Sequence, residues 1–228
     1  MKSTFKLKPP MSLHQDSVYY KDQNNVYERF AEAEDSPGRV LNILNTLLKD
    51  KNVLDAGCGT GKYTNLLKPV TRSIKGIDRS PDQISLAQQK YPDLNFQVES
   101  LDQITPSNYD AAVCAWVLGT ITDDASRNLS LDKLKTAASK IVCIENGINS
   151  EFEVIRGRVK NTKTHQYNNW LLHKGFKLEH KIHTWFDFDS KDEASRIIGA
   201  IWGPSAGDMV QSSRIDHIVD IYILENGA

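Results

Sequence analysis

Three glycines at alternate positions, Gly57, Gly59 and Gly61, directly follow a short apolar segment at residues 53–54. Glycines this close together would weaken a strand or a helix. They suit a tight turn whose backbone can be approached closely, because no Cβ stands in the way. A helical pattern then resumes over residues 62–67. The segment therefore predicts a buried strand, a glycine loop and a helix start, the local architecture of a nucleotide site at the carboxyl edge of a parallel sheet.

The spacing of these glycines narrows the class of ligand. A dinucleotide fingerprint reads G-x-G-x-x-G, whereas this segment reads G-x-G-x-G after an acid at Asp55, and it contains no phosphate-loop pattern. The sequence "VLDAGCGTG" at residues 53–61 resembles the first motif, D/E-x-G-x-G-x-G, of the Rossmann-like (class I) S-adenosylmethionine-dependent methyltransferases. The resemblance implies S-adenosylmethionine as cofactor, bound by Asp55, Ala56, Gly57, Cys58, Gly59 and Gly61.

An acid also ends the second predicted strand, at residues 73–77. Asp78 lies about 20 residues beyond the glycines, where a carboxylate can accept the protons of two ribose hydroxyls. The resemblance places Asp78 in the family's second motif and adds Arg79 to the cofactor-binding residues. The other interpretation of Asp78 is a loop carboxylate at the start of the helix that Ser80 caps.

The ends of the third and fourth strands supply the remaining cofactor candidates. The family commonly has an aspartate near the position of Ser100 that contacts the adenine amino group, so this chain departs there. Ser100 can still accept a hydrogen bond, and Leu101 can pack on the ring. The segment "YDAAVCAWVL" resembles the fourth-strand motif, which implies that Ala115 and Trp116 lie over the cofactor. It lacks the [DNS]-P-P-[YFW] signature of base methyltransferases.

The predicted strands and helices alternate along the chain, which indicates an α/β fold. We expect a doubly wound, mostly parallel seven-stranded sheet with helices on both faces. The last strand should be antiparallel, with a helix at about 190–202 inserted between strands six and seven. Residues 1–35 are interpreted as an N-terminal arm and lid helix, and 36–228 as the methyltransferase domain, with the acceptor region at about 147–170. Ser36 and Pro37 predict the start of a helix.

Composition limits the partners and the compartment. The chain has 228 residues, a formal net charge of −1 and no apolar run of membrane-spanning length, so neither nucleic acid nor a membrane is indicated globally. Three cysteines without C-x-x-C spacing suit a reducing cytoplasm, and we expect buried, inert thiols at Cys114 and Cys143. We expect no metal site, and the sequence leaves the oligomeric state open.

Methyl transfer from a sulfonium is an in-line displacement, so alignment and exclusion of water matter more than a particular catalyst. A base is needed only for an acceptor that arrives protonated. Many small-molecule members of the family have a histidine just after the fourth strand, where this chain has Gly119 and Thr120. The candidate bases are His165, in the acceptor region, and Tyr20. Tyr19, Tyr20 and Tyr27 are candidates to close the site, or simply pack their segment onto the core.

Three functions are compatible with these motifs, which specify the cofactor better than the acceptor. The first is a methyltransferase acting on a small molecule, at oxygen or nitrogen. The second is an RNA or protein methyltransferase, supported by a basic run at residues 156–181 with seven Lys or Arg against one acid. The third is a non-catalytic S-adenosylmethionine-binding protein, which the departures at Ser100 and Gly119 keep open.

Overall fold

The computed structural model describes residues 26–157 and 163–226. Tyr19, Tyr20, Arg158 and Lys160, and the arm before residue 26, lie outside the described residues. The helices are α1 Val26–Ala33, α2 Arg39–Leu47, α3 Lys62–Leu67, α4 Pro81–Lys90, α5 Asp124–Ala137, α6 Glu151–Ile155, α7 Lys163–His173, α8 Lys191–Trp202 and α9 Pro204–Asp208. The strands are β1 Asn52–Ala56, β2 Ser73–Asp78, β3 Asn95–Val98, β4 Ala111–Ala115, β5 Lys140–Asn146, β6 Lys177–Asp187 and β7 Arg214–Glu225.

The described strands form one sheet in the order β3-β2-β1-β4-β5-β7-β6. Strands β1 to β5 pair in parallel, and β7 is antiparallel to both of its neighbours. The predicted fold class is confirmed, including the helical insertion between β6 and β7, which contains α8 and α9. The strand order reverses between β1 and β4, and in open parallel sheets the ligand crevice lies outside the carboxyl ends of the strands at such a point.

Apolar side chains cover both faces of the sheet. The central strands β1, β4 and β5 are buried almost throughout, as expected of strands with helices on both sides. Cys114 and Cys143 are neighbours on β4 and β5, and both are free and fully buried, as predicted. No helix in the described ranges has the length and apolar character needed to cross a membrane.

A separate aromatic cluster joins α1 to the far edge of the sheet. Phe30 of α1 stacks on Phe186 of β6 with ring centroids 4.8 Å apart, and it also contacts Phe152 of α6 and Trp202 of α8. Aromatic pairs of this kind add about 0.5–1.5 kcal/mol to the free energy of simple burial. Helix α1 is therefore packed onto the inserted helices and the end of the sheet.

The start of α2 corrects the sequence prediction. The helix begins at Arg39, and the capping group is the Asp35 carboxylate, not the Ser36 side chain. This carboxylate accepts hydrogen bonds from the backbone N–H groups of residues 39–41 at 2.9–3.1 Å and from the Thr184 hydroxyl at 2.7 Å. A charged acceptor satisfies three orphan donors at once, which a single hydroxyl cannot do. The turn between α1 and α2 is thereby fixed to β6.

Candidate cofactor and acceptor site

The glycine loop follows β1 and has the conformation that only glycine adopts freely. Gly57, Gly59 and Gly61 have φ angles of +84°, +54° and +86°. A Cβ on Gly57 would lie 2.5 Å from Val117 Cγ2, and one on Gly61 would lie 2.6 Å from Phe96 Cζ. A Cβ on Gly59 would meet no atom closer than 3.6 Å. The loop therefore needs glycine for its backbone conformation at all three positions and for packing at Gly57 and Gly61.

Asp78, at the end of β2, lies directly beside this loop. Its two carboxylate oxygens accept hydrogen bonds from Gly59 N–H at 3.1 Å and from Ser80 N–H at 2.8 Å. Burial raises the pKa of Asp78 above its usual value, and the two backbone N–H groups oppose that rise. Each oxygen retains acceptor capacity, so the carboxylate can also receive two hydroxyl groups.

Asp55, the acid of the glycine motif, is 1% exposed. One of its oxygens, Oδ2, accepts a hydrogen bond from the Thr64 hydroxyl, with an oxygen–oxygen distance of 2.6 Å. Burial raises the pKa of Asp55 to about 6, and the neighbouring Asp78 raises it further. A carboxylate in this state gains stability from a cation placed beside it.

A cleft lies between the glycine loop, the end of β4 and α1. Its walls include Asp55, Gly57 and Cys58 from the motif, Ala115 and Trp116 from β4, and Tyr27, Ala31 and Glu34 from α1 and its following turn. The cavity has a volume of about 50 Å³, whereas clefts that hold a drug-sized ligand measure roughly 300 Å³ or more. Residues of α1 and of the turn after it line one side of this cavity, and a nucleoside needs more space than this conformation provides.

Polar contacts hold α1 across the cleft at three places. Arg29 makes two hydrogen bonds to Glu193 of α8, at 3.0 and 3.1 Å. Glu28 forms an ion pair with Lys90 of α4. Lys62, the first residue of α3, donates to the backbone carbonyl of Glu34 at 3.1 Å and to that of Ala31. The last contact links α1 to the glycine loop itself.

We expect the substitution Arg29→Ala to raise both the association and the dissociation rate of S-adenosylhomocysteine about three- to tenfold, with a smaller change in Kd. The reason is that losing an ion-pair network worth about 1 kcal/mol makes opening of α1 easier. Stopped-flow binding measures both rates. Lys140→Ala is the matched control, because Lys140 pairs with Glu225 at the opposite edge of the sheet. Rates equal to wild type in Arg29→Ala would contradict the gating role of α1.

Trp116 forms the wall of the cleft opposite α1. It has a φ angle of +54°, which is uncommon for a residue with a bulky side chain. Its backbone N–H donates to Ile144 O at 2.9 Å, and its ring lies 6.0 Å from that of Tyr63. Among the described residues, Trp116 Nε1 and Tyr63 Oη are buried and have no hydrogen-bond partner. Backbone strain and unsatisfied polar atoms of this kind cluster at functional sites.

Ser100 and Leu101 follow β3 on the same edge of the sheet, outside this small cavity. The backbone N–H of Glu99 donates to Asp78 O at 2.9 Å, which holds this segment against the end of β2. Ser100 donates its hydroxyl to the Asp102 carboxylate at 2.5 Å, and this bond lowers the pKa of Asp102. Sequence analysis missed Asp102, a carboxylate two residues from the place where the family has one.

The other predicted residues lie further from the cavity. Arg79 is exposed after β2. His165 is half-buried in α7 and is not among the residues that line the cavity, so its role stays a prediction. His217, which sequence analysis did not select, lies beside Trp116 with ring centroids 6.4 Å apart. Burial lowers the pKa of His217 to about 3, and its Nε2 contacts Asn146 Oδ1 at 2.9 Å.

A second buried carboxylate, Glu145 at the end of β5, accepts the Tyr167 hydroxyl at 2.9 Å. Burial raises the pKa of Glu145 to about 8. A raised carboxyl pKa means that the folded state binds more protons than the unfolded state, so stability falls as pH rises from the unfolded value towards 8.

The variant Glu145→Gln should therefore lose less stability than wild type between pH 5 and pH 8. We expect the difference to be on the order of 2 kcal/mol, because glutamine can accept the same hydrogen bond without a buried charge. Urea unfolding at both pH values measures the change, with Glu225→Gln as the control at an exposed position. A parallel loss of stability in wild type and Glu145→Gln would show that Glu145 is not the titrating group.

The fold and site together define a class of protein. The residues present fit S-adenosylmethionine: a glycine loop, one acid able to take two hydroxyls and a buried carboxylate able to face a cation. The fold is Rossmann-like, and the candidate site lies at the switch point of its sheet.

Comparisons with known proteins match part of this chain to methyltransferases. A family profile described as "Methyltransferase domain" matches residues 53–137. Trans-aconitate 2-methyltransferase of Delftia acidovorans (strain DSM 14801 / SPH-1) is 32% identical over 89 residues, which are 38% of this chain and 33% of that protein. The chain spans about a third of the length of this and similar curated relatives.

Solved structures agree on the fold. Magnesium protoporphyrin IX methyltransferase (ChlM) from Synechocystis PCC 6803, with bound SAM, has a TM-score of 0.55 and 16% identity over 88% of this chain and 84% of that one. The N-methyltransferase NodS from Bradyrhizobium japonicum WM9, in complex with S-adenosyl-l-homocysteine, has a TM-score of 0.55 and 15% identity over 91% and 98%. Over residues 53–137 the chain therefore contains a methyltransferase domain, and its overall fold is the one found in these Rossmann-like methyltransferases.

Proposed function

We propose that this chain transfers a methyl group from S-adenosylmethionine to a small-molecule acceptor. The observation that carries this proposal is the position of the Asp78 carboxylate, which is bonded to Gly59 N–H at the switch point of the sheet. Bound S-adenosylmethionine would supply a methyl group on a positively charged sulfur. The acceptor would attack the methyl carbon in line with the sulfur, which is the leaving group. The chain has to bind, align and exclude water.

The cofactor-binding residues have distinct roles in this proposal. Asp78 accepts the ribose hydroxyls, and Asp55 faces the cationic amino-acid end of the cofactor. The backbone of Gly57, Gly59 and Gly61 allows close approach. Ser100 and Leu101 would contact the adenine ring, and Arg79 would be a further cofactor contact. The remaining contacts come from Ala56, Cys58, Ala115 and Trp116.

The closed cleft supports a small acceptor. Helix α1 lines the cavity and is held at three places, so in this proposal it closes again over the bound cofactor and encloses a small acceptor. In this proposal the chain consists of an N-terminal arm with a lid helix at 1–35 and a methyltransferase domain at 36–228. The acceptor contacts lie at about 147–170. In this proposal α1 is the lid helix.

The basic run gives less support to an RNA acceptor. Of its described members, Arg156 is paired with the buried Glu153 at 2.7 Å, and Lys181 is paired with Asp220 at 2.6 Å. Lys174 lies over the ring of Trp170, 5.8 Å from its centroid. These contacts favour a structural role for much of the run over a free phosphate-binding surface.

Methyl-labelled S-adenosylmethionine tests the proposal. The protein is incubated with a host extract that has been separated into small-molecule, RNA and protein fractions, and binding of S-adenosylhomocysteine is measured in parallel. We expect label in the small-molecule fraction, and none with the variant Asp78→Ala. Label in the RNA or protein fraction would support a macromolecular acceptor. Binding without transfer into any fraction would support the non-catalytic interpretation.

A further inference from the structure

Glu34 is a cleft-lining carboxylate for which no function has been given above. It follows α1, is 9% exposed and lines the cavity together with Trp116 and Asp55. Its neighbour Asp35 is fixed by the four hydrogen bonds that cap α2 and reach Thr184. The framework of α2 and β6 therefore positions Glu34 at the cleft, in addition to α1.

Charged groups on several elements face Glu34. Lys62 Nζ of α3 lies 3.7 Å from its carboxylate, Asp35 adjoins it, and Arg156 acts from the end of α6. Burial raises the pKa of Glu34 to about 7, Lys62 and Arg156 lower it, and Asp35 raises it. Burial raises the pKa of Tyr63, and the negative charge of Glu34 also raises it. A carboxyl group with a pKa near the working pH can both take up and release a proton, which is the property of an effective general base.

The two unsatisfied polar atoms of the cleft indicate the type of group that meets Glu34. Trp116 Nε1 can only donate a hydrogen bond, and Tyr63 Oη is a second donor. Both are without a partner among the described residues, although burying a polar group without a hydrogen bond is unfavourable. A hydroxyl oxygen has free lone pairs for these donors and a proton for a carboxylate. A neutral amine has a single lone pair, and the attack on the methyl group uses it, so none is left to accept from Trp116.

We propose that Glu34 is the proton acceptor of the acceptor site and that the methyl acceptor is a hydroxyl compound. Its oxygen would accept hydrogen bonds from Tyr63 and Trp116 and donate its proton to Glu34. In the transfer, an oxygen–carbon bond forms and the sulfur–carbon bond breaks, with its electron pair left on sulfur. The hydroxyl proton passes to the Glu34 carboxylate. This inference rests on the proposed function and assigns its acceptor class and its base.

The variant Glu34→Gln tests the role of the carboxylate, with Glu145→Gln as the matched control. Glu145 is another buried carboxylate with a raised pKa, but it does not line the cavity. We expect Glu34→Gln to bind S-adenosylhomocysteine within about twofold of wild type and to lose about 10²–10⁴-fold in methyl transfer into the small-molecule fraction. Glu145→Gln should retain both activities.

The pH profile adds a signature that a structural role would not give. The wild-type rate should rise with pH through about 7, because Glu34 must be ionised to accept a proton, and this limb should be absent in Glu34→Gln and retained in Glu145→Gln. Carbon-13 NMR of the glutamate carboxyl groups, assigned by difference from Glu34→Gln, should show one that titrates near 7. A Glu34 midpoint near 4.5 would overturn the proposal.

Mass spectrometry of the labelled product tests the acceptor class. A methyl ether is the expected product, and a methyl ester or an N-methylated product would overturn the proposal. Wild-type transfer rates in Glu34→Gln would also overturn it while leaving the proposed function intact. A wild-type protein that binds S-adenosylhomocysteine but transfers no methyl group would instead overturn the proposed function, and this inference with it.

Discussion

Replacing Gly57 by alanine is expected to lower the free energy of unfolding by about 3 kcal/mol and to abolish S-adenosylmethionine binding. Two effects add at this position. The φ angle of +84° is strained for any residue with a Cβ, which costs about 1–2 kcal/mol. The new Cβ would also lie 2.5 Å from Val117 Cγ2, and relieving such overpacking costs about 1–3 kcal/mol. Chemical denaturation and calorimetric binding measure the two outcomes.

Gly38 provides the control that separates strain from the clash. It has a φ angle of +67°, but a Cβ there would meet no atom within 4 Å. Gly38→Ala should therefore cost only about 1–2 kcal/mol and leave cofactor binding intact. Adding Val117→Ala to Gly57→Ala should recover part of the lost stability, because it removes both methyl groups in the way. Equal losses in Gly57→Ala and Gly38→Ala would contradict the packing argument.

The second large effect is expected for Asp78→Ala, which should weaken S-adenosylhomocysteine binding about 10²–10³-fold. Two hydrogen bonds from ribose hydroxyls to a charged acceptor contribute roughly 3–4 kcal/mol together after desolvation. The substitution also removes the acceptor of Gly59 N–H and so loosens the glycine loop. Isothermal titration calorimetry gives the change in Kd directly.

Asp82 is the matched control for Asp78. It is an exposed acid in the first turn of α4, four residues further along the chain, so Asp82→Ala removes the same charge close to the site without touching the loop. We expect its affinity to stay within about twofold of wild type. An unchanged Kd in Asp78→Ala would rule out the ribose contact and leave Asp78 with a purely structural role.

Residues that act through their immediate chain neighbours were predictable from the sequence. The positive φ angles of Gly57, Gly59 and Gly61 follow from the local spacing, because only glycine adopts them without strain. The position of Asp78 beside the loop follows from the parallel pairing of two successive strands, which brings their carboxyl ends to one edge. The fold class was predictable because strand and helix patterns are local, and their alternation along the chain indicates a parallel sheet with helices on both faces.

Residues placed by long-range packing could not be predicted. Glu34 reaches the cleft because Asp35 is bonded to Thr184, which lies 149 positions away in the chain. The same contact explains why Ser36 is not the cap of α2. Arg29 of α1 is bonded to Glu193, which lies 164 positions away, and no local sequence pattern predicts that contact. The roles of His165 and Tyr20 remain predictions.

The central claim is that the loop between β1 and α3 binds S-adenosylmethionine, and NMR with isotope-labelled protein tests it most directly. Titration with S-adenosylmethionine should shift the backbone amides of Gly57, Gly59 and Gly61 and the indole N–H of Trp116, with one-to-one stoichiometry. The amide of Gly175, which lies just before β6 at the opposite edge of the sheet, should remain in place. Saturable binding with these shifts would establish the site. An absence of binding, or shifts confined to other parts of the molecule, would contradict the account.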